Sequence, residues 1–281
     1  MTVHESTTRR RKTIPWQKVV LPRAVEIMAT YDTPVTLRQL FYRLVSEQAI
    51  PNDENAYKVL SRESATWRRE GRMSGLLDQT RRIEVDRGFQ SPAHALDYLL
   101  AVYTRDRTEG QKYALYLICE KRGMAMQFRT WFGDAMSIPV VCLGGFASQT
   151  LVDTIERDVG ADGRPAVFLY AGDFDADGME IERDFLRRLQ CWVETWTRVV
   201  LTSAQVDEYR LSENPGKEKS PNAARFEEEF GTNIQVELDA LDPADLRQIF
   251  EDAIEPFWND DVYESTLARE TEERTQLERL A

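Results

Sequence analysis

The residues with the clearest chemical potential lie in the stretch AVFLYAGDFDADGMEI, residues 166–181. A short apolar run typical of a strand ends at a glycine, and Asp173, Asp175 and Asp177 follow at alternate positions. Carboxylates at the end of a buried strand are costly unless a positive group meets them. The carboxyl ends of strands in α/β folds are also where ligands bind. The pattern therefore predicts a divalent-cation site.

A second acid strengthens this prediction. Glu120 directly follows another strand-like run, KYALYLIC. Neighbouring parallel strands lie ~4.8 Å apart, so acids at their ends can converge on one ion. Mg²⁺ takes a few carboxylates, retained waters and substrate phosphates. We predict one or two Mg²⁺ ions, with Mn²⁺ as the expected substitute, held by Glu120, Asp173 and Asp175, with Asp177 as a fourth candidate.

Two other interpretations of the aspartates stay open. Residues 173–184, DFDADGMEIERD, place Asp at positions 1, 3 and 5, Gly at 6 and Asp184 at 12 of a calcium EF-hand loop. An EF-hand needs a helix before the loop, however, and its usually apolar position 8 is Glu180 here. The other interpretation is a solvated acidic turn. Glu120 favours the catalytic Mg²⁺ site over both.

The elements that must position these acids alternate along the chain. Strand-like runs alternating with helical segments predict parallel βαβ units with right-handed crossovers. The strands are predicted at 112–119, 138–143, 166–171 and 197–201, and the helices at 121–132, 148–159 and 178–189. Further helices are predicted near 93–103, 242–256 and 262–280, the last being highly charged and either solvated or partner-binding. The fold class is therefore α/β.

The front of the chain reads as a DNA-binding unit. After a segment at 16–30 that Pro22 bends or splits, Thr36 caps an amphipathic helix, LRQLFYRLVSEQ, and a basic helix at 56–73 follows a turn. This predicts a helix-turn-helix in a winged-helix setting, or else a plain helical hairpin with a basic face. The candidate DNA contacts are Lys58, Arg62, Arg68, Arg69 and Arg72, together with Lys121, whose alternative is a solvated helix start.

The charge distribution agrees with this division. The net charge is −12, but residues 1–89 carry 16 Lys/Arg and 11 Asp/Glu, a net charge of +5. A basic front on an acidic body is expected of a DNA-facing module, the alternative being a solvated charged surface. Three isolated cysteines and two histidines disfavour a disulfide framework, a zinc site and histidine-based catalysis. With neither a membrane span nor a secretory signal recognisable, we expect a cytoplasmic, nucleoid-associated protein without a membrane partner.

The acidic motifs resemble a known family. A Glu after the first strand and an Asp-x-Asp after a later one are similar to the Toprim domain of topoisomerases, primases and related nucleases. ICEKRGMAMQF resembles the Glu-Lys segment of the topoisomerase VI A subunit and of the meiotic double-strand-break transesterase. DFDADGMEI resembles their Asp-x-Asp-Pro-x-Gly-hydrophobic-x-Ile segment, with Ala176 in place of proline.

The front half and the C-terminal part share this resemblance, which spans about residues 15–255 in family order. TLRQLFYRL resembles the Thr-x-Arg-(acid)-hydrophobic-Tyr-Tyr motif of the family's winged-helix domain. Tyr42 matches the DNA-attacking tyrosine and Arg38 the motif arginine, whereas Gln39 replaces the acid and Phe41 the first tyrosine. RVVLTSAQVDEYRLSENPGKEK and VELDAL resemble the C-terminal part of the Toprim region.

The resemblance implies a domain organisation. It comprises a disordered basic arm at 1–14, a winged-helix/helix-turn-helix domain at 15–90, a connector at 91–110, a Toprim domain (a Rossmann-like parallel sheet) at 111–255, and a charged C-terminal helix at 256–281. It also implies Mg²⁺-dependent cleavage of double-stranded DNA, in which Tyr42 attacks phosphorus and forms a 5′-phosphotyrosyl link. Arg38 would lower the pKa of the phenol and bind the phosphate. Glu120, with Asp173 and Asp175, would hold the metal.

The resemblance also implies partners and alternatives. In these relatives the tyrosine and the metal come from different subunits, so we expect a homodimer. The sequence has no Walker-type GxxxxGK[ST] loop, so a separate ATPase subunit would drive strand movement. One alternative is a Toprim metal nuclease that hydrolyses DNA without a tyrosine link, of the plasmid-defence or mobile-element type. The other is a non-catalytic DNA-binding regulator.

Overall fold

The computed structural model describes residues 14–78, 88–216 and 220–279. Nearly all of the basic arm predicted at 1–14 lies outside these residues. The helices are α1 Leu21–Met28, α2 Leu37–Ser46, α3 Glu54–Arg69, α4 Pro92–Val102, α5 Arg122–Phe128, α6 Asp134–Met136, α7 Gln149–Asp162, α8 Ala176–Arg188, α9 Ser203–Glu208, α10 Ala223–Phe230, α11 Pro243–Ile254 and α12 Asp260–Glu278. The strands are β1 Ala114–Cys119, β2 Val140–Cys142, β3 Ala166–Ala171, β4 Val193–Val200, β5 Asn214–Pro215 and β6 Ile234–Gln235.

The centre of the protein is a four-stranded parallel sheet in the order β2-β1-β3-β4. This confirms the α/β class and the parallel sheet. Every residue of β1 and β3 is buried, because helices cover both faces. Phe128, Phe132 and Phe250 pack on one face, and Ile155 and Phe185 pack on the other. Burial on both faces explains why these strands read as continuous apolar runs.

The N-terminal helices α1, α2 and α3 share a hydrophobic core of their own. A π-helical turn, Trp16–Val20, precedes α1, and Pro22 lies in the first turn of α1, so the predicted segment at 16–30 is split there. The helix pair expected of a helix-turn-helix is present. Among the described residues, strand structure in this unit is limited to the bridge between Thr36 and Leu77. The winged-helix setting therefore stays a prediction.

The C-terminal helix α12 packs against the connector, although its charge suggested a solvated or partner-binding helix. Glu270 on α12 is only 5% exposed. Arg107 forms an ion pair with it at 3.0 Å, and the backbone N–H of Arg105 donates to it at 3.0 Å. A buried carboxylate needs such partners, so these two arginines account for its burial. None of the helices in the described ranges is long and apolar enough to cross a membrane.

Candidate active site

The ends of β1 and β3 bring the first two acids together. Cys119 and Ala171 are register partners, so the chain leaves both strands side by side. Glu120 follows Cys119 directly, and Asp173 follows Ala171 after one glycine. The backbone N–H of Asp173 donates to the Glu120 carboxylate at 3.3 Å. The structure thus places these two predicted ligands next to each other at the carboxyl edge of the sheet.

Asp173 is the most enclosed acid of the DFDADG turn. It is 6% exposed, and its Oδ1 accepts from the backbone N–H of Leu238 at 2.7 Å and lies 2.8 Å from the Lys121 ammonium. Burial raises the pKa of Asp173 well above its usual value, the charges of Glu237 and Glu120 act in the same direction, and Lys121 opposes them. The ionised form of this carboxylate is therefore penalised by burial, and Lys121 offsets only part of that penalty.

Asp175 and Asp177 have different roles. Asp175 is the N-cap of α8 and is 8% exposed, and its Oδ1 accepts from the backbone N–H of Gly178 at 2.6 Å. Asp177 accepts from the hydroxyl of Ser220 at 2.7 Å and from the side-chain amide of Asn222 at 3.2 Å. Asp177 therefore holds the segment before α10, while Asp175 stays close to Asp173.

The geometry excludes the other two interpretations of the aspartates. A buried strand, β3, precedes the turn where an EF-hand requires a helix. Asp184, the position-12 residue of the calcium loop, pairs instead with Arg187 at 2.7 Å and Arg188 at 3.1 Å. The turn is not solvated either, since Asp173 and Asp175 are both buried.

Two further acids, Glu237 and Asp239, belong to the same site and were not predicted as site residues. They flank Leu238 in VELDAL and are 4% and 5% exposed. The Lys121 ammonium is hydrogen-bonded to Glu237 and lies 3.8 Å from Asp239. Burial works to raise the pKa of Glu237, but Lys121, Arg38 and Tyr42 together outweigh it and the pKa is lowered. The sequence did carry a signal for this pair, because the two acids in VELDAL alternate with apolar residues, as the aspartates do in DFDAD.

Together these acids line a cleft of about 500 Å³. Its carboxylates are Glu120, Asp173, Asp175, Asp177, Glu237 and Asp239, and its cationic side chains are Arg38, Lys121 and Arg122. With every group ionised, the formal charge of the lining is −3. Such an excess in a buried site calls for a further cation.

The donor set fits the predicted metal. Oxygen ligands without histidine or thiolate suit Mg²⁺ or Mn²⁺ rather than zinc. Burial, with the charges of Asp175 and Glu237, raises the pKa of Glu120, and a divalent cation would reverse that effect. Within the described residues, no three His, Cys, Asp or Glu side chains form a ready-made metal cage. Lys121 lies between Asp173 and Glu237 instead.

Helix α2 carries Arg38 to this cleft and Tyr42 to a position beside Arg38. Arg43, 8% exposed, donates to the Ala240 carbonyl at 3.1 Å and pairs with Asp242 at 2.9 Å. Gly123, at the start of α5, lets α2 approach, because a Cβ there would lie 2.7 Å from the Gln39 side chain. The VELDAL segment and the turn after β1 thus fix the helix that bears the candidate nucleophile.

The Tyr42 hydroxyl lies 3.5 Å from the Arg38 guanidinium, which is 3.9 Å from Glu237. The Lys121 ammonium is 5.6 Å from the Tyr42 ring centroid. Burial and the Glu237 charge raise the pKa of Tyr42 despite the opposing effect of Arg38 and Lys121. The expected lowering by Arg38 is therefore present but is outweighed.

Local structure explains the three departures from the family motifs. Gln39 forms a capping box with Thr36, so it has a defined role at the start of α2. Ala176 is the first residue of α8, a position that also suits proline. Phe41 is 4% exposed and packs edge-to-face on Tyr42 at 5.4 Å between ring centroids. Each replacement keeps the local structure that the motif needs.

The predicted DNA contacts on α3 and just after it lie away from the cleft. All five side chains are exposed, and none of them lines it. Lys58 pairs with Glu54 at 2.7 Å, Arg62 with Glu63 at 2.9 Å, and Arg72 with Glu70 at 3.2 Å. Exposed pairs of this kind are weak and leave the cations available to other anions. Contact of this surface with DNA stays a prediction.

No protein-family model matches this sequence, and no curated protein is detectably similar to it. The functional assignment therefore rests on the residues of the cleft and on the resemblance of short motifs.

Gly178→Ala is expected to lower the free energy of unfolding by about 2 kcal/mol, as overpacking does elsewhere. A Cβ at Gly178 would lie 2.6 Å from the Asp173 carbonyl oxygen, so the turn that holds the acids must shift. The measurement is urea unfolding followed by circular dichroism. The matched control is Gly160→Ala, at an exposed site in α7 with no atom near the new Cβ, which should gain about 0.5 to 1 kcal/mol. Equal changes in the two variants would refute this role of Gly178.

Arg43→Met is expected to cost about 2 kcal/mol of stability, because it removes charge-assisted hydrogen bonds to Ala240 and Asp242. It should also loosen α2 from the cleft, which limited proteolysis can detect. Arg62→Met, on the exposed face of α3, is the matched control and should change stability by less than about 0.5 kcal/mol. An unchanged denaturant midpoint for Arg43→Met would contradict this docking contact.

Proposed function

We propose that this chain is a metal-dependent DNA-cleaving enzyme similar to the topoisomerase VI A subunit, with a winged-helix domain joined to a Toprim domain. One observation carries the proposal. Tyr42, from the front half, lies 3.5 Å from the Arg38 guanidinium. Arg38 lines the same cleft as Glu120 and Asp173. Residues from two distant parts of the sequence therefore lie close together, and this proximity supports the proposal.

The side chains divide the chemistry between them. Arg38, whose side chain is 62% exposed, offers a guanidinium to the scissile phosphate at the cleft mouth. Tyr42 attacks phosphorus, the P–O3′ bond breaks, and the products are a 5′-phosphotyrosyl link and a free 3′-hydroxyl. Glu237, whose negative charge acts on Tyr42, is the acceptor for the phenol proton. Glu120, Asp173 and Asp175 would hold Mg²⁺, which offsets charge on the phosphoryl oxygens when bound.

Hydrolysis by water is the second candidate function, and the raised pKa of Tyr42 favours it. Its raised pKa makes the phenol a weaker acid than free tyrosine, so little phenolate is present near neutral pH. If water attacks instead, the acidic cleft alone forms a metal nuclease and Tyr42 is a packing residue of α2. Both candidates use the same acids and differ in the nucleophile.

The proposed partners follow from the number of strands cut. Because Tyr42 lies beside Arg38, which lines the acidic cleft of the same chain, one chain holds the groups that would cut one strand. Cutting both strands of a duplex takes two copies, which is the role we propose for a homodimer. Passage of a second duplex through the break would take a separate ATPase subunit.

The proposal is tested with supercoiled plasmid and the purified chain. We expect nicked and linear DNA with Mg²⁺ or Mn²⁺ and none with EDTA. Absence of cleavage with every divalent cation, together with tight DNA binding, would contradict both enzyme candidates and favour the non-catalytic regulator.

A further inference from the structure

Lys121 occupies an unusual position for a lysine. Its side chain is 15% exposed, and its ammonium is 2.8 Å from Asp173 and 3.8 Å from Asp239. It is also hydrogen-bonded to Glu237. Three carboxylates from two separate segments therefore converge on one ammonium. A surface lysine or a phosphate-binding lysine would instead point its charge towards solvent.

The carboxylates of the cleft form two groups that share Asp173. The first group is Asp173, Glu237 and Asp239, around the Lys121 ammonium. The second group adds Glu120 and Asp175 to Asp173. Over the described ranges, neither Glu120 nor Asp175 forms an ion pair with a lysine or an arginine.

We propose that Lys121 is a resident cation that fills one of two cation positions in the cleft, so that the chain binds one divalent ion, not two. This inference rests on the proposed metal-dependent function and specifies its cofactor. The ion belongs to the group formed by Glu120, Asp173 and Asp175. Lys121 stabilises Glu237 and Asp239, which would otherwise repel each other and Asp173 inside a buried site.

The position of Lys121 between β1 and α5 holds its ammonium next to these carboxylates. Lys121 is the N-cap residue of α5 and follows β1 by two positions, so the sheet and the helix both constrain its backbone. A second divalent ion near Asp173 and Glu237 would have to displace the ammonium from these carboxylates, while Glu120 and Asp175 hold the first ion. The single-ion state avoids that displacement.

The test counts ions without relying on cleavage. Mn²⁺ is titrated into the full chain, and the electron paramagnetic resonance signal of free Mn²⁺ gives the number bound. The wild type is expected to bind one ion per chain, and Lys121→Met two. Lys121→Arg keeps the charge and should bind one. Lys112→Met, which removes an exposed lysine just before β1, is the matched control and should also bind one.

The outcomes separate this inference from the proposed function. Two ions bound to the wild type, or one ion bound to Lys121→Met, would overturn the inference. Neither result would contradict the proposed metal-dependent function. No ion on the wild type would overturn the metal site itself. Lys121→Met could be unfolded in buffer, and thermal melts with and without Mn²⁺ then replace the ion count. Folding of this variant in the presence of Mn²⁺ supports the inference. An unfolded variant in the presence of Mn²⁺ contradicts the inference.

Discussion

Asp173→Asn is expected to reduce the rate of plasmid cleavage by about 10²- to 10³-fold, the loss found when one charge-stabilising group is removed from an active site. Asp173 belongs to both carboxylate groups of the cleft and is in contact with Lys121, Leu238 and the Glu120 side chain. The amide keeps the size of the side chain but removes its charge. The measurement is the initial rate of nicking at saturating Mg²⁺.

Asp177→Asn is the matched control for this loss. It removes a carboxylate from the same turn, but Asp177 accepts hydrogen bonds from Ser220 and Asn222, which lie just before α10. An amide oxygen can still accept these hydrogen bonds, so we expect less than about a tenfold change in rate. Equal losses in the two variants would show that the turn, and not the Asp173 charge, supports cleavage.

Tyr42→Phe is expected to abolish the covalent protein–DNA adduct and to leave the fold intact. Phenylalanine retains the ring that packs on Phe41 and removes only the hydroxyl beside Arg38 and Glu237. The adduct is measured on denaturing gels after a detergent quench, and thermal melting checks the fold.

Tyr57→Phe is the control for the tyrosine substitution. Tyr57 packs on Phe41 from α3, at 5.2 Å between ring centroids, whereas the hydroxyl beside Arg38 is that of Tyr42. We expect it to form the adduct as the wild type does. Cleavage by Tyr42→Phe at the wild-type rate would identify water as the nucleophile.

The acids next to the sheet were predictable because their positions are local. Glu120 and Asp173 follow two buried strands, and strand ends in a parallel sheet meet at one edge. Glu237 and Asp239 were missed because a long-range contact places them. Phe174 and Val236 exchange backbone hydrogen bonds at 3.0 Å, which sets VELDAL beside the aspartate turn. Periodicity along a sequence does not encode which loops will pair.

The position of α2 against the acidic cleft could not be predicted from the sequence pattern either. Arg43 was not predicted to have a role, yet it is buried against Ala240 and Asp242 and joins the two halves of the chain. Lys121 reads as a DNA contact or a solvated helix start, yet three carboxylates surround its ammonium. In both cases the partners lie more than 50 residues away, so only the folded chain shows how each charge is used.

Whether Tyr42 and the acidic cleft form one DNA-cleaving site is tested most directly by trapping the protein on DNA. A duplex labelled at its 3′ ends is incubated with the chain and Mg²⁺ and quenched with detergent. Once the strands are separated by heating, a 5′-phosphotyrosyl link predicts label on the wild-type polypeptide, no label on Tyr42→Phe or Asp173→Asn, and none when the 5′ ends carry the label. Cleaved DNA without labelled protein, at equal rates in the wild type and Tyr42→Phe, would contradict the tyrosine mechanism.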